Sequence, residues 1–317
     1  MDQTSIVIEE VATPQNFVEF DYLAANPDVA EAVQLGTCWS GRLHFHEHGR
    51  WEGRRIRRAI SIAEAQEAKI ERLEPWIRLD LPHVRRGAKY DFLANELRTQ
   101  TGAAGSATVS APEYGGLALE LIERFRDGWI LDCGAGKRPI YYSNVVNYET
   151  VDYESTDVLG AAEVLPFRDA SFDAVFSLCV LDQTRNPFAC AAEIVRVLKP
   201  GATLICAAPF LRPMRRHPPH YYGMTGQGLC ALFEGALEID EHVVFPSIGP
   251  VHALAGMVQH WASGLNGRAL EAFLSTRLGD LLSAPATLHD RRWVRELSNE
   301  KNFELACATM ITAHKPT

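Results

Sequence analysis

The residues most able to do chemistry lie in Trp129-Ile-Leu-Asp-Cys-Gly-Ala-Gly-Lys-Arg-Pro139, an apolar run that ends in an acid and two glycines. Gly134 and Gly136 permit positive φ and let peptide N–H groups approach a ligand closely, and open α/β sheets bind ligands at the carboxyl ends of their strands. The same two glycines also suit a tight structural turn. Seventeen residues beyond Asp132 stands Glu149, near the end of the next apolar run. A carboxylate there can accept two hydrogen bonds from a ribose diol. Further along, Arg212-Pro-Met-Arg-Arg-His-Pro-Pro-His-Tyr-Tyr222 gathers histidines, tyrosines and three arginines. An imidazole titrates near neutrality and suits general-base work, and arginines bind carboxylate or phosphate. His220 leads as the candidate base, with His217, Asp182 and Tyr221 behind it; loop packing and a solvated charge run are the structural alternatives.

The elements that position these groups can be read from hydrophobic periodicity. The spacing predicts a helix over Glu113 to Arg126, then a buried strand at Trp129 to Asp132. Further strands are predicted at Asn144 to Val151, Asp157 to Gly160, Phe172 to Val180 and Ala202 to Pro209. A helix from Phe188 to Leu198, stopped by Lys199-Pro200-Gly201, joins the last two of these. Apolar strands with a helical crossover point to an α/β fold with a mainly parallel sheet. Two later strands, Leu237 to Phe245 and Phe303 to Ala313, are expected to bracket a helical insert at about 248–300. Upstream, residues 1–58 read as a small module, and residues 59–111 as a helical connector and linker. The connector helix begins near Ala59 with Gln66 as a polar break; Asp91 to Thr99 is a second helical stretch, and 101–112 has a linker composition. The main domain is expected over 112–317. Only Lys137 to Ser143 separates the glycine turn from the next strand, too few residues for a full helical crossover, so one short helical turn is expected there.

In order along the chain, Asp132-Cys-Gly-Ala-Gly136, Gly160-Ala-Ala-Glu-Val-Leu-Pro-Phe167, Ser171-Phe-Asp-Ala-Val-Phe-Ser177 and Glu193-Ile-Val-Arg-Val-Leu-Lys-Pro-Gly201 resemble the class I S-adenosylmethionine-dependent methyltransferases of the compact type. The resemblance covers about residues 112–245. It implies a Rossmann-like, seven-stranded sheet and S-adenosyl-L-methionine as cofactor. Its methionine end would lie on Asp132, Cys133, Gly134 and Gly136, its ribose on Glu149, and its adenine beside Ala161, Ala162 and Glu163. Leu181 and Asp182 would face the cofactor or the acceptor. The sequence departs from the family at Arg138, where a third glycine is usual, at Ala161, where an aspartate often holds the adenine, and at Asp182-Gln183, where Glu-His is common. Asp21-Tyr-Leu-Ala-Ala-Asn-Pro-Asp-Val-Ala30, with Leu43-His-Phe45 and Gly49 to Arg54, resembles a small helical module found beside bacterial polysaccharide-modifying domains, which points to a glycan or lipid-linked sugar as acceptor.

Composition narrows the function classes. The chain has 317 residues, 47% of them hydrophobic, with 31 Lys plus Arg against 40 Asp plus Glu and a formal net charge of −9. That balance fits a globular protein and disfavours a broad nucleic-acid footprint. Seven cysteines with no C-x-x-C pair predict free thiols and a cytoplasmic setting. Neither a signal peptide nor a transmembrane run is expected. His44, His46 and His48 alternate without the second half of a ligand set, so no metal is expected. A nicotinamide-dependent dehydrogenase is disfavoured by Pro139 and the short crossover. A methyltransferase fold that has lost catalysis and serves as a scaffold stands as the alternative to an enzyme.

Overall fold

A computed structural model describes residues 6–93, 98, 113–215 and 219–307. Ten strands form two sheets: β1 (Ile6–Val11), β2 (Arg55–Ile60), β3 (Val84–Arg86), β4 (Lys89–Asp91), β5 (Ile130–Cys133), β6 (Ile140–Tyr142), β7 (Val145–Glu149), β8 (Val158–Leu159), β9 (Phe172–Leu178) and β10 (Leu198–Ala207). The larger sheet has seven strands in the order β10-β9-β5-β7-β8-β4-β3, and the smaller has the order β2-β1-β6. Every neighbouring pair in the larger sheet is parallel except β3 with β4. It is a mixed α/β, Rossmann-like fold.

This strand order decides where chemistry can occur. From β5 the chain runs outward through β7 and β8, then returns to the other side of β5 to lay down β9 and β10. Order therefore reverses at β5, and a crevice opens at the carboxyl ends of strands where that happens. The central strands are apolar on both faces because helices cover them: Ile130, Leu131, Val146, Val158, Val175 and Phe176 are all fully buried. Helix Pro187–Val197 starts where the Asn186 side chain accepts from the Ala189 N–H, with Pro187 in its first turn, and it buries Cys190, Ala191, Ile194 and Val197.

The polar break at Gln66 is an anchor. Helix Ile62–Leu73 buries Gln66, whose amide donates to the carbonyls of Glu154 (2.9 Å) and Thr156 (2.8 Å). One turn on, Lys69 is fully buried and donates to Val145 O (2.6 Å) and Asp157 Oδ2 (2.8 Å), with its ammonium 3.4 Å from the Tyr141 ring centre. Asp157 also accepts from Tyr141 Oη and from the Asn147 N–H. Burial lowers the Lys69 ammonium to about 8, opposed by the Asp157 charge.

Several expectations need correction. No helical turn follows the glycines: Ile140-Tyr-Tyr142 is β6, which pairs in parallel with β1, because this β-prone run finds an open edge there. The N-terminal module is not purely helical, since β1 and β2 pair across Ile6 to Ile60 and flank helices Glu19–Ala25 and Pro27–Gln34. Ala59 falls in β2, before the connector helix. Residues 238–245 form no strand; Glu238, Asp240 and Glu241 break up the apolar pattern, and the segment is exposed. Phe303 and Glu304 close helix Asn299–Glu304, whereas 308–313 lie outside the described residues. Seven strands are nonetheless reached, because β3 and β4, from the segment expected to be connector, supply one edge. Asp91 belongs to β4; most of the helical stretch expected after it, and all of 101–112, lie outside the described residues.

The segment expected as an insert is helical, with helices Pro250–Ser263 and Gly267–Leu274 and the short Arg292–Arg295, but no strand brackets it among the described residues. It has its own cluster of Leu265, Ala269 and Trp293, with Trp261 stacked on Phe273 at 6.0 Å. No helix among the described residues is long and apolar enough to cross a membrane.

Replacing Lys69 by Met strands the Asp157 carboxylate in the core and is expected to cost about 3–5 kcal/mol of stability in chemical denaturation. The double variant Lys69→Met/Asp157→Asn should recover part of that loss.

Candidate functional site

Four strand ends converge on the crevice. β5 delivers Asp132 and the glycine turn, β7 delivers Glu149, β9 leads into Cys179 to Gln183, and β10 leads into the loop that carries Arg212 to Tyr222. Gly134 and Gly136 have φ of 81° and 64°, the left-handed conformation their sequence allows. The Gly134 and Ala135 N–H groups both donate to Tyr148 O (2.8 and 3.2 Å), and the Gly136 N–H donates to Glu149 Oε2 (2.9 Å). A methyl group at Gly134 would lie 2.3 Å from Val180 Cγ2, so the glycine is required for close packing against the end of β9.

Asp132 is fully buried and held from two sides. Arg138 donates to Asp132 Oδ2 from Nε (2.8 Å) and Nη2 (2.6 Å), and Tyr114 Oη donates to the same oxygen. The guanidinium also lies 4.1 Å over the Tyr114 ring. Asp132 Oδ1 has no hydrogen-bond partner among the described residues. Arg138, which replaces a family glycine, thus folds back onto the strand-end acid, and Tyr114 completes the cluster. Tyr114 carried no sequence signal, because nothing in its neighbourhood links it to a residue eighteen positions away. Cys133 is buried, and burial pushes its thiol well above the usual range. Glu149 accepts from Gly136 N, from Thr150 N (2.7 Å) and from Thr150 Oγ1 (3.1 Å); burial raises its carboxyl, and these hydrogen bonds oppose the rise.

Ala161 packs with Leu93 and Leu159, Ala162 joins the main core, and Glu163 is half-buried. Leu181 is a core residue in the short turn Leu181–Gln183.

Asp182 is the exception among the acids. It is 0% exposed, and among the described residues neither carboxylate oxygen has a hydrogen-bond partner. Burial raises it from the ordinary aspartate value to about 6, against the pull of Arg212 and Arg215. His220 Nε2 and Arg212 Nη1 each lie 3.9 Å from Asp182 Oδ2, beyond hydrogen-bond reach. His220 Nε2 is 3.0 Å from Tyr222 O. A carbonyl only accepts, so that nitrogen carries the proton and Nδ1 presents the lone pair. Nδ1 is buried and unpartnered. Burial lowers the His220 imidazole, which keeps it neutral at neutral pH. The Asp182 carbonyl accepts from the N–H groups of Tyr221 (2.7 Å) and Tyr222 (3.1 Å), which fixes the loop beside the turn. Tyr221 is 40% exposed and lies under the Arg185 guanidinium. Cys179 adopts φ of 61°, uncommon for a residue with a side chain. Arg216 and His217 lie outside the described residues.

His44, from the N-terminal histidine run, shares a hydrogen bond with Tyr22 Oη (2.9 Å) and lies far from any second ligand half in sequence. Among the described residues no three His, Cys, Asp or Glu side chains are grouped to hold a metal ion.

Residues 141–206 match the family model of the methyltransferase domain. That stretch of the chain is similar to the methyltransferase domain. The matched segment runs from β6 through β10 and takes in Glu149 and Asp182, with the glycine turn just ahead of it. Demethylmenaquinone methyltransferase of Renibacterium salmoninarum is 33% identical over 105 residues, which is 33% of this chain and 38% of that protein. The chain thus spans little more than a third of that relative's length. Among solved structures, the [4+2]-cyclase SpnF has a TM-score of 0.35 at 18% identity, with 63% of this chain and 86% of that one covered. The YcgJ protein of Bacillus subtilis has a TM-score of 0.31 at 16% identity, covering 49% and 86%.

Two outcomes follow for this site. Gly134→Ala combines positive-φ strain with the Val180 clash and should lose about 2–4 kcal/mol in denaturation; adding Val180→Ala should restore the clash component. A carboxylate raised in the folded state binds its proton more tightly there than in the unfolded chain. Its ionisation therefore costs stability as pH rises through the interval from about 4 to about 6, and the whole cost is present above that interval. Asp182→Asn should accordingly raise Tm more at pH 8 than at pH 4, read by calorimetry at both pH values.

Proposed function

We propose that this protein transfers a methyl group from S-adenosyl-L-methionine to an oxygen of a small-molecule or saccharide acceptor. The observation that carries the reading is the pair of buried, unbonded groups at one strand end: His220 Nδ1 and the Asp182 carboxylate. Proteins rarely leave such atoms unsatisfied without a functional reason.

The residues at the turn fit the cofactor. Asp132 keeps one buried oxygen unbonded, and Glu149 holds its carboxylate against the glycine N–H. In this reading Asp132, Cys133, Gly134 and Gly136 hold the amino-acid end, Glu149 takes the ribose hydroxyls, and Leu181 walls the cofactor. Ala161, Ala162 and Glu163 flank the adenine, with Glu163 supplying the polar contact because the two alanines face the core. When bound, the cofactor supplies a methyl group already activated on a positively charged sulfur.

The chain's own residues then have two tasks. They align the acceptor oxygen and exclude water, and they remove the hydroxyl proton. His220 receives that proton at Nδ1 while Tyr222 O holds Nε2–H. Asp182, at 3.9 Å, stabilises the resulting imidazolium through its charge. Tyr221, tied to the Asp182 carbonyl, borders the acceptor. The residue 1–58 module and the insert at about 248–300 accompany the methyltransferase domain, and the seven free thiols suit a cytoplasmic setting.

One observation favours a second reading, a fold that binds or scaffolds without catalysis. All three N–H groups of the glycine turn are already satisfied from within the protein, by Tyr148 O and Glu149.

Calorimetry with S-adenosylmethionine and S-adenosylhomocysteine separates the two: the enzyme must bind both, and heat with neither compound in folded protein would leave the scaffold. Given an acceptor, His220→Ala should reduce kcat by about a hundredfold or more while cofactor affinity changes little. Unchanged kcat would remove His220 as the base.

A further inference from the structure

We propose that Arg212 and Arg215 form an anion subsite, so that the acceptor carries a carboxylate or phosphate lying across the two guanidinium groups beside Asp182 and His220. The proposal deepens the methyl-transfer reading and rests on it only for calling the bound molecule an acceptor.

Charge is out of balance at the end of β9. Elsewhere in the described structure the buried or half-buried cations are hydrogen-bonded to acids: Arg138 to Asp132 (2.6 Å), Lys69 to Asp157 (2.8 Å) and Arg196 to Glu193 (2.7 Å). At the end of β9, Asp182 is the acid that faces two guanidinium groups. Arg212 stops 3.9 Å short of it, and the Arg215 Nε is buried with no hydrogen-bond partner among the described residues. The Asp182 carboxylate has no hydrogen-bond partner among the described residues, so these charges are not joined by hydrogen bonds. His220 is neutral and does not change the sign. Burial and the neighbouring Arg212 both lower the Arg215 guanidinium, the direction expected where positive charge is in excess.

An unpaired guanidinium in a partly dry site is costly, and an anion with two or more oxygens offsets that cost through charge-assisted hydrogen bonds. Backbone hydrogen bonds lie on either side of Arg215 in sequence. Pro213 separates the two arginines, the Met214 N–H between them donates to Glu304 O (3.0 Å), and farther on the Tyr221 and Tyr222 N–H groups donate to Asp182 O. The subsite is distinct from the turn proposed for the cofactor's amino-acid end: Arg212 and Arg215 follow β10, and β10 lies two strands from β5. Its place beside Asp182 and His220 would seat the anion within a few ångströms of the proposed base.

The test is calorimetric titration of the full chain with benzoate, phenyl phosphate and the neutral methyl benzoate, each with and without saturating S-adenosylhomocysteine. One or both anions should bind at a single site, and methyl benzoate at least about tenfold more weakly. The stronger of benzoate and phenyl phosphate tells whether the subsite takes carboxylate or phosphate. Arg215→Met should weaken anion binding by about tenfold to a hundredfold, and Arg215→Lys by less, with S-adenosylhomocysteine affinity unchanged and a normal melting transition. No binding of either anion at millimolar concentration overturns the proposal, as does an Arg215→Met protein that binds them like the wild type. Anion binding that is sensitive to Arg215, in a protein that gives no heat with S-adenosylhomocysteine, sustains the subsite and counts against the methyl-transfer reading.

Discussion

A carboxylate removed from water must be bonded, or its ionised form becomes expensive. Three buried acids and the half-buried Glu149 show both solutions. Asp132 is bonded to Arg138 and Tyr114, Glu149 to the Gly136 and Thr150 N–H groups, and Asp157 to Lys69, Tyr141 and the Asn147 N–H. Each of these three joins segments that are distant in sequence and so helps to hold the sheet and its turn. Asp182 has none of these bonds and is pushed to about 6 instead. The first three acids make the framework, and the fourth stands apart from it.

Sheet order turns that contrast into a site. Because the strands on either side of β5 are laid down in opposite directions from it, the bonded acids Asp132 and Glu149 end on one side of the crevice, and the unbonded Asp182 ends on the other. Val180 joins the two sides by packing against Gly134. The glycine turn therefore shapes the end of β9 as well as the end of β5, and the two halves of the crevice are mechanically coupled.

Much of this was legible from residue order. The apolar runs gave β5, β7, β8, β9 and β10, since strands buried on both faces leave an unmistakable pattern, and the paired glycines marked the turn. What escaped depended on partners far away in sequence. Ile140-Tyr-Tyr142 became a strand because β1, over a hundred residues earlier, offered an edge. Val84 to Asp91 entered the large sheet through β8, which no local periodicity announces. In the site, the acids and His220 were identifiable by type and position, whereas Tyr114 was not, and Arg138 registered only as a departure from a pattern. Whether an acid is bonded is a property of three-dimensional neighbours, so the difference between Asp132 and Asp182 was invisible until both were placed.

The backbone contact from Met214 to Glu304 ties the arginine loop to the outer helical layer, which has its own small aromatic core around Trp261 and Trp293. Drift in the amino acids of that outer layer can thus shift the arginines while the central strands, and the groups they carry, stay still. The framework acids and the arginine loop are thus anchored to different layers of the fold.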